Sequence, residues 1–165
     1  MSDEVREASV WERLDSLSDH ELNALISAAA SVLTEGADDP SAQDAVAMPP
    51  GPAARAIRSE LEGVGVQIDD ADAERFVSDD AVSRDVALAT LRELAKEPEL
   101  ASEIEDAWRA RGGMMIMDAG ILSGGALLLL VMKLKHVKVK KGEADVEFYE
   151  VKSGVLGAIR HFLGH

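Results

Sequence analysis

The sequence has no cysteine and few aromatic residues. Without cysteine in 165 residues, disulfide bonds, thiolate metal sites and cysteine nucleophiles are excluded. Aromatic residues make up 4% of the chain, whereas 47% of it is hydrophobic, so a core must be built from Leu, Val, Ile, Ala and Met. The first residues are acidic and contain no apolar stretch, so we expect no secretion signal there. These features are typical of a cytoplasmic protein with one sizeable core.

Basic residues are scarce in the first two thirds of the chain. Residues 1–112 contain 10 Lys and Arg against 26 Asp and Glu, a net charge of −16. Residues 113–165 contain 7 basic and 5 acidic residues, a net charge of +2. A surface as acidic as that of the first part repels phosphate backbones, so we expect no nucleic-acid binding. The change in charge predicts a boundary between two domains, 1–112 and 113–165.

The first domain is predicted to be an acidic bundle of short helices, because its hydrophobic residues recur at helical spacing. The sequence SDHE at 18–21 has the pattern of a capping box, which predicts a helix that begins there and ends before Gly36. Pro98 is expected in the first turn of the last helix of the bundle, where its missing N–H costs nothing. Residues 37–52 are rich in Pro, Asp and Ala and are predicted to be a linker.

A nineteen-residue apolar run, Met114–Met132, contains a single charge, Asp118. Its length lies in the range of about 17–25 residues that can span a bilayer. Gly120 and Gly124 have the spacing at which helix backbones approach closely. The other interpretation is a buried central helix, or a strand over 126–131, because Asp118 would cap a helix too short to span a membrane. We favour the buried element and keep the membrane segment as the alternative.

Charged residues after this run predict a β-hairpin at residues 134–151. If Gly142 and Glu143 form a two-residue turn, three lysines lie opposite acidic residues: Lys140 opposite Asp145, Lys138 opposite Glu147, and Lys135 opposite Glu150. Because every charged pair is opposite in sign, this register is favoured and the lysines are largely neutralised within the hairpin. A last helix follows the hairpin. The predicted fold class is therefore α+β, mostly α.

The apolar run and the hairpin together are the predicted contact region for a protein partner or a second copy of the chain. Two strands alone are marginally stable, so the hairpin needs a cover. The glycines of the run need a neighbouring backbone. The predicted interaction residues are Gly120, Gly124, Leu128, Val137, Val139, Val146 and Phe148.

Catalytic and metal-binding patterns are weak in this sequence. His161 and His165 stand four residues apart, but no third ligand accompanies them. The acidic clusters near residues 38, 69 and 79 lack the order of a calcium loop and are interpreted as helix starts and solvated loops. The sequence contains no nucleophile elbow, phosphate loop or zinc-protease pattern. We therefore predict a protein without enzymatic activity, cofactor or metal.

The stretch LLLLVMKLKHVKVKKGEADVEFYEVK, followed by SGVLGAIRHFL, resembles small accessory domains of bacterial conflict and signalling systems. Those domains carry no activity of their own and recruit or gate an effector through like-with-like contacts. The resemblance covers about 50 residues and implies an adaptor. The sequence thus predicts a non-enzymatic interaction or oligomerisation module, and the alternative is a membrane-anchored or membrane-inserting protein that uses residues 114–132.

Overall fold

Helices are the regular elements in the part of the chain that the structure describes. The structure is a computed structural model, and it describes residues 9–35, 45, 48–110, 124–133 and 148–163. A 3₁₀ helix spans Val10–Ser16. The α-helices are α1 (Asp19–Glu35), α2 (Pro50–Gly63), α3 (Asp70–Ser78), α4 (Asp80–Ala95), α5 (Pro98–Ala110), α6 (Gly124–Lys133) and α7 (Phe148–Leu163).

The predicted capping box at the start of α1 is confirmed. The Ser18 N–H donates to Glu21 Oε2 at 2.9 Å, and the Glu21 N–H donates to Ser18 Oγ at 3.2 Å. The hydrogen bond from the Ser18 N–H, followed by that with the Ser18 hydroxyl, lowers the pKa of Glu21 below 4.5. Two backbone donors at the helix start are thereby satisfied. Pro98 opens α5, as expected.

A single residue, Asp79, joins α3 to α4. Its N–H donates to the Arg75 carbonyl at the end of α3, and its carboxylate accepts from Ala81 and Val82 at the start of α4. The Ser83 hydroxyl, which is fully buried, donates to the Phe76 carbonyl at 3.0 Å. These bonds satisfy the open ends of both helices and fix the angle between them.

Helix α6 forms the centre of the core. Its residues Leu127–Met132 are each at most 1% exposed, and the helix packs chiefly against α2 and α4, with further contacts to α1, α3 and α7. Apolar residues cover its whole circumference, which is typical of a helix that is buried on all sides. The favoured interpretation of the apolar run as a buried central element agrees with this position. Among the described residues, no helix has the length and apolar character needed to cross a membrane.

The 3₁₀ helix is attached to α5 by polar contacts. Glu105 accepts hydrogen bonds from the Val10 N–H and the Ser9 hydroxyl, both at 3.1 Å, and from Arg109 at 3.0 Å. The Trp11 indole donates to the Ala101 carbonyl at 3.0 Å. Burial raises the pKa of Glu105, but the hydrogen bonds from Val10, Arg109 and Ser9 outweigh it and leave the pKa lowered. The carboxylate is therefore held ionised where the first described turn meets the bundle.

Two arginines of α4 hold the junction between the 3₁₀ helix and α1. Arg84 donates to the Leu17 carbonyl at 2.7 Å and to Asp19 at 2.6 Å. Arg92, two turns further along α4, pairs with Asp15. The bonds join residues more than 60 positions apart in the sequence, so they fix the path of the chain and not only one helix.

The predicted α+β class is wrong for the described residues, since every regular element among them is a helix. Phe148–Val151, placed in the second strand of the predicted hairpin, forms the first turn of α7. The rest of the hairpin, 134–147, lies outside the described residues. The correction has a physical reason: Val151, Val155 and Ile159 stand four apart, so the helical period extends back through the predicted strand.

Candidate functional site

The predicted interaction residues are only partly described by the structure. Leu128 is fully buried in α6, among helices of its own chain. Gly124 is the first residue of α6 and Phe148 the first residue of α7. The other four, Gly120, Val137, Val139 and Val146, lie outside the described residues. Among the described residues, helix α7 offers a candidate contact.

Helix α7 lies at the edge of the bundle with one face covered. Val155 and Ile159, four residues apart, are 1% and 4% exposed. Gly157, Arg160 and His161 are exposed on the other side. The helix contacts α4 and, less extensively, α6. Such a one-sided apolar stripe is typical of a helix that docks on a preformed surface.

The surface beneath α7 is a groove made by α3 and α4. Phe76 of α3 is 1% exposed, and Val86 and Thr90 of α4 are 5% and 2% exposed. The Thr90 hydroxyl donates to the Val86 carbonyl within its own helix at 2.8 Å, so the polar atom needs nothing from α7. We call the surface of Phe76, Val86, Ala89 and Thr90 the α3–α4 groove. It offers α7 an almost entirely apolar contact.

A small cavity remains between α7 and the α3–α4 groove. Its volume is about 20 Å³, which is room for about one water molecule. Ligand pockets measure roughly 300–1,000 Å³, so this space is far too small for a substrate or cofactor. It is a gap in helix packing, and its lining comprises Phe76, Asp85, Val86, Ala89, Thr90, Val155, Ala158 and Ile159.

The Glu93 side chain of α4 lies against α7 at Gly154. This side chain is 15% exposed and pairs with Lys96 at 2.9 Å. A Cβ at position 154 would stand 2.7 Å from Glu93 Cδ and would also overlap its Oε2. Sequence reasoning missed this contact. The available signal was the pair of glycines, Gly154 and Gly157, within an otherwise amphipathic helix.

The chemistry that the described residues offer near this contact is limited. The buried polar side chains among them are Asn23, Ser83 and Thr90, none of which ionises near neutral pH. No three His, Asp or Glu side chains of the described residues come together to hold a metal ion. His161 is exposed, and His165 lies outside the described residues.

Comparison with known proteins adds no relative to these observations. No protein-family model matches the sequence, and no curated protein or solved structure matches it.

Proposed function

We propose that this protein is a non-enzymatic self-association module in which α7 of one copy docks on the α3–α4 groove of another. The observation that carries the proposal is the attachment of α7 by one apolar face. Two residues, Val155 and Ile159, provide its fully covered surface, and a gap remains beside them. Loosely packed apolar contacts forgo part of the dispersion energy, so α7 is the element of the described chain that an equivalent helix replaces most readily.

The length of chain between α6 and α7 permits such an exchange. Residues 134–147 connect the two helices. A segment of this length reaches at most about 45–50 Å when extended, and a folded chain of this size has a diameter of roughly 40 Å. The last helix can therefore reach a neighbouring copy while α6 stays in its own core. Exchange of an identical element between copies is a low-cost route to a dimer.

Charge asymmetry makes a second copy an acceptable occupant. Residues 1–112 carry −16 and residues 113–165 carry +2. The groove belongs to the acidic part, and α7 belongs to the basic part together with Lys133, Lys135 and Lys138. Bringing the C-terminal part of one copy to the acidic surface of another offsets the repulsion between two acidic proteins. In this proposal the protein acts as an adaptor by joining copies of itself.

The proposal is tested by mass measurements on a matched pair of variants. Light scattering of the wild type should give a mass that rises with concentration from 17.6 kDa toward twice that value. Ile159→Asp places a carboxylate in the apolar contact and should restore the monomer mass. His161→Asp makes the same change of charge on the exposed side of α7 and should leave association unchanged.

A peptide of residues 148–163 provides a second test that leaves the protein intact. Added in excess, it should compete with the exchanged helix and convert dimer to monomer, whereas the same peptide with Ile159→Asp should not. A wild type that stays at 17.6 kDa throughout, or a dimer that withstands both the variant and the peptide, would refute self-association through α7.

A further inference from the structure

We propose that Glu93 of α4, beside the α3–α4 groove, is a specificity-determining residue that favours a helix with glycine opposite its carboxylate. For the helix of the same chain this inference rests on the observed contact. For the helix of a second copy it also rests on the proposed function. The groove would then prefer, among amphipathic helices, one without a Cβ at this position.

A side chain at position 154 would overlap the end of the Glu93 side chain, which would have to shift. The Cβ of an alanine there would lie 2.7 Å from Glu93 Cδ and 3.4 Å from Glu93 Cγ, and real Cβ atoms essentially never approach a heavy atom within 3.0 Å. The Glu93 side chain is 15% exposed and paired with Lys96. Making room requires it to leave this covered position and to move away from its partner.

The sequence of α7 shows why this contact selects one register. Only two residues of α7 lack a Cβ, Gly154 and Gly157. A slip of three residues would bring Gly157 opposite Glu93, and it would place Ala158 where Val155 is now buried and Phe162 where Ile159 is. The slipped register puts a smaller residue at one site and a bulkier aromatic one at the other, in a contact with room for only about one water molecule, so it fits the groove less well. Glu93 and the Val155–Ile159 stripe are satisfied together in the observed register.

The two glycines also supply a matched pair of variants. A Cβ at Gly157 would meet nothing within 4 Å, and the residue is exposed. Replacing a helical glycine with alanine normally stabilises a helix. Gly157→Ala should therefore show the full increase in stability. Gly154→Ala should show a smaller increase, because the Glu93 side chain has to be displaced. The difference between the two variants measures the contact.

The experiment compares melting temperatures of full-length variants. Gly157→Ala should raise the melting temperature by about 2–4 °C. The melting temperature of Gly154→Ala should lie at least about 2–4 °C below that of Gly157→Ala. In a Glu93→Ala background, Gly154→Ala should recover the gain seen with Gly157→Ala. Equal gains from both glycine variants in the presence of Glu93 would show that its side chain moves aside freely, and would overturn the inference.

Association of the same variants separates the failure of this inference from that of the proposed function. Gly154→Ala should weaken self-association, and the added Glu93→Ala should restore it. A monomeric wild type with coupling between positions 93 and 154 would refute the proposed function and support the role of Glu93 within the chain. A dimeric wild type without coupling would refute the role of Glu93 and leave self-association standing.

Discussion

The first and last helices that the structure describes are attached to the bundle in different ways. The 3₁₀ helix at Val10–Ser16 buries Val10 and Leu14 and is in addition held by directed polar bonds, to Glu105 on α5 and to Arg92 on α4. Helix α7 lies on α4 through Val155 and Ile159, and a gap of about 20 Å³ remains in that contact. The 3₁₀ helix is therefore tied to particular donor and acceptor atoms, whereas α7 is held mainly because its apolar side chains are removed from water.

This difference determines how each end responds to its surroundings. Hydrogen bonds to a carboxylate require fixed distances and an ionised acceptor, so the N-terminal attachment permits one arrangement and depends on pH. Apolar contacts are not directional, so an equivalent helix can take the place of α7. In the proposed self-association, exchange therefore belongs to the C-terminal end, and Glu93, which lies against Gly154, would supply the specificity.

The largest effect should come from the core on which both ends rest. Leu128→Ala removes a fully buried side chain from the centre of α6 and should lower the free energy of unfolding by about 3–5 kcal/mol. Leu156→Ala, at a half-buried position on α7, is the control and should cost less than about 2 kcal/mol. Urea unfolding of both variants measures the difference. Equal losses would mean that α7 is as much a part of the core as α6.

An intermediate effect should separate the polar attachment from the apolar one. Glu105→Gln removes the ionised acceptor beneath the 3₁₀ helix and should cost about 1–2 kcal/mol at pH 7. Because the pKa of Glu105 is lowered in the folded chain, its contribution is present above the ordinary value of 4.5 and is lost as the pH falls through the folded pKa. The difference in free energy of unfolding between wild type and Glu105→Gln should therefore disappear as the pH is lowered below 4.5.

The control for this variant lies on the same helix. Glu103 makes no hydrogen bond or ion pair with the described residues, and Glu103→Gln should change stability little at either pH. Urea unfolding at pH 7 and at acidic pH gives the free energy of unfolding of the wild type, Glu105→Gln and Glu103→Gln. A Glu105→Gln variant whose deficit persists at low pH would show that the 3₁₀ helix is held by packing, and the contrast between the two ends would disappear.

The smallest effect should come from filling the gap under α7. Ala158 lines the cavity, and methionine has a helix propensity close to that of alanine and adapts to irregular spaces. At about 24 cal/mol per Å³ of cavity filled, Ala158→Met should raise the free energy of unfolding by about 0.5 kcal/mol. Arg160→Met, at an exposed position of the same helix, should gain nothing. Destabilisation by Ala158→Met would show that the gap is too rigid to be filled.

Local signals in the sequence were sufficient for several helices within residues 1–112, although α2 begins at Pro50, inside the predicted linker of residues 37–52. The capping box at Ser18, the single proline that opens α5 and the helical spacing of buried residues such as Leu100 and Ile104 act within a few positions along the chain. Each was confirmed because neighbouring groups alone satisfy it. The same locality explains why the apolar run could be interpreted as a central helix from its composition.

Contacts between distant residues could not be inferred in this way. The charges that suggested a hairpin were consistent with one another. Phe148–Val151 also fits the helical period of Val155 and Ile159, and these four residues are helical in the structure. The bonds from Arg84 to Leu17 and from Glu105 to Val10 join residues 67 and 95 positions apart. Nor does any local pattern bring Glu93 to Gly154, because that meeting depends on the packing of α7 against α4.

The one-residue junction at Asp79 has a consequence for the order of events during synthesis. Both helices of the α3–α4 groove and the hydrogen bonds at their junction lie within Asp70–Ala95, so the angle between them depends on contacts that are close in sequence and can form early. Helix α7 is complete only after roughly 70 further residues, about 3–14 s later at 5–20 residues per second. If copies associate through α7 as proposed, the groove of a nascent chain would be open to finished copies during that interval, and neighbouring ribosomes on one message would favour pairing between sister chains.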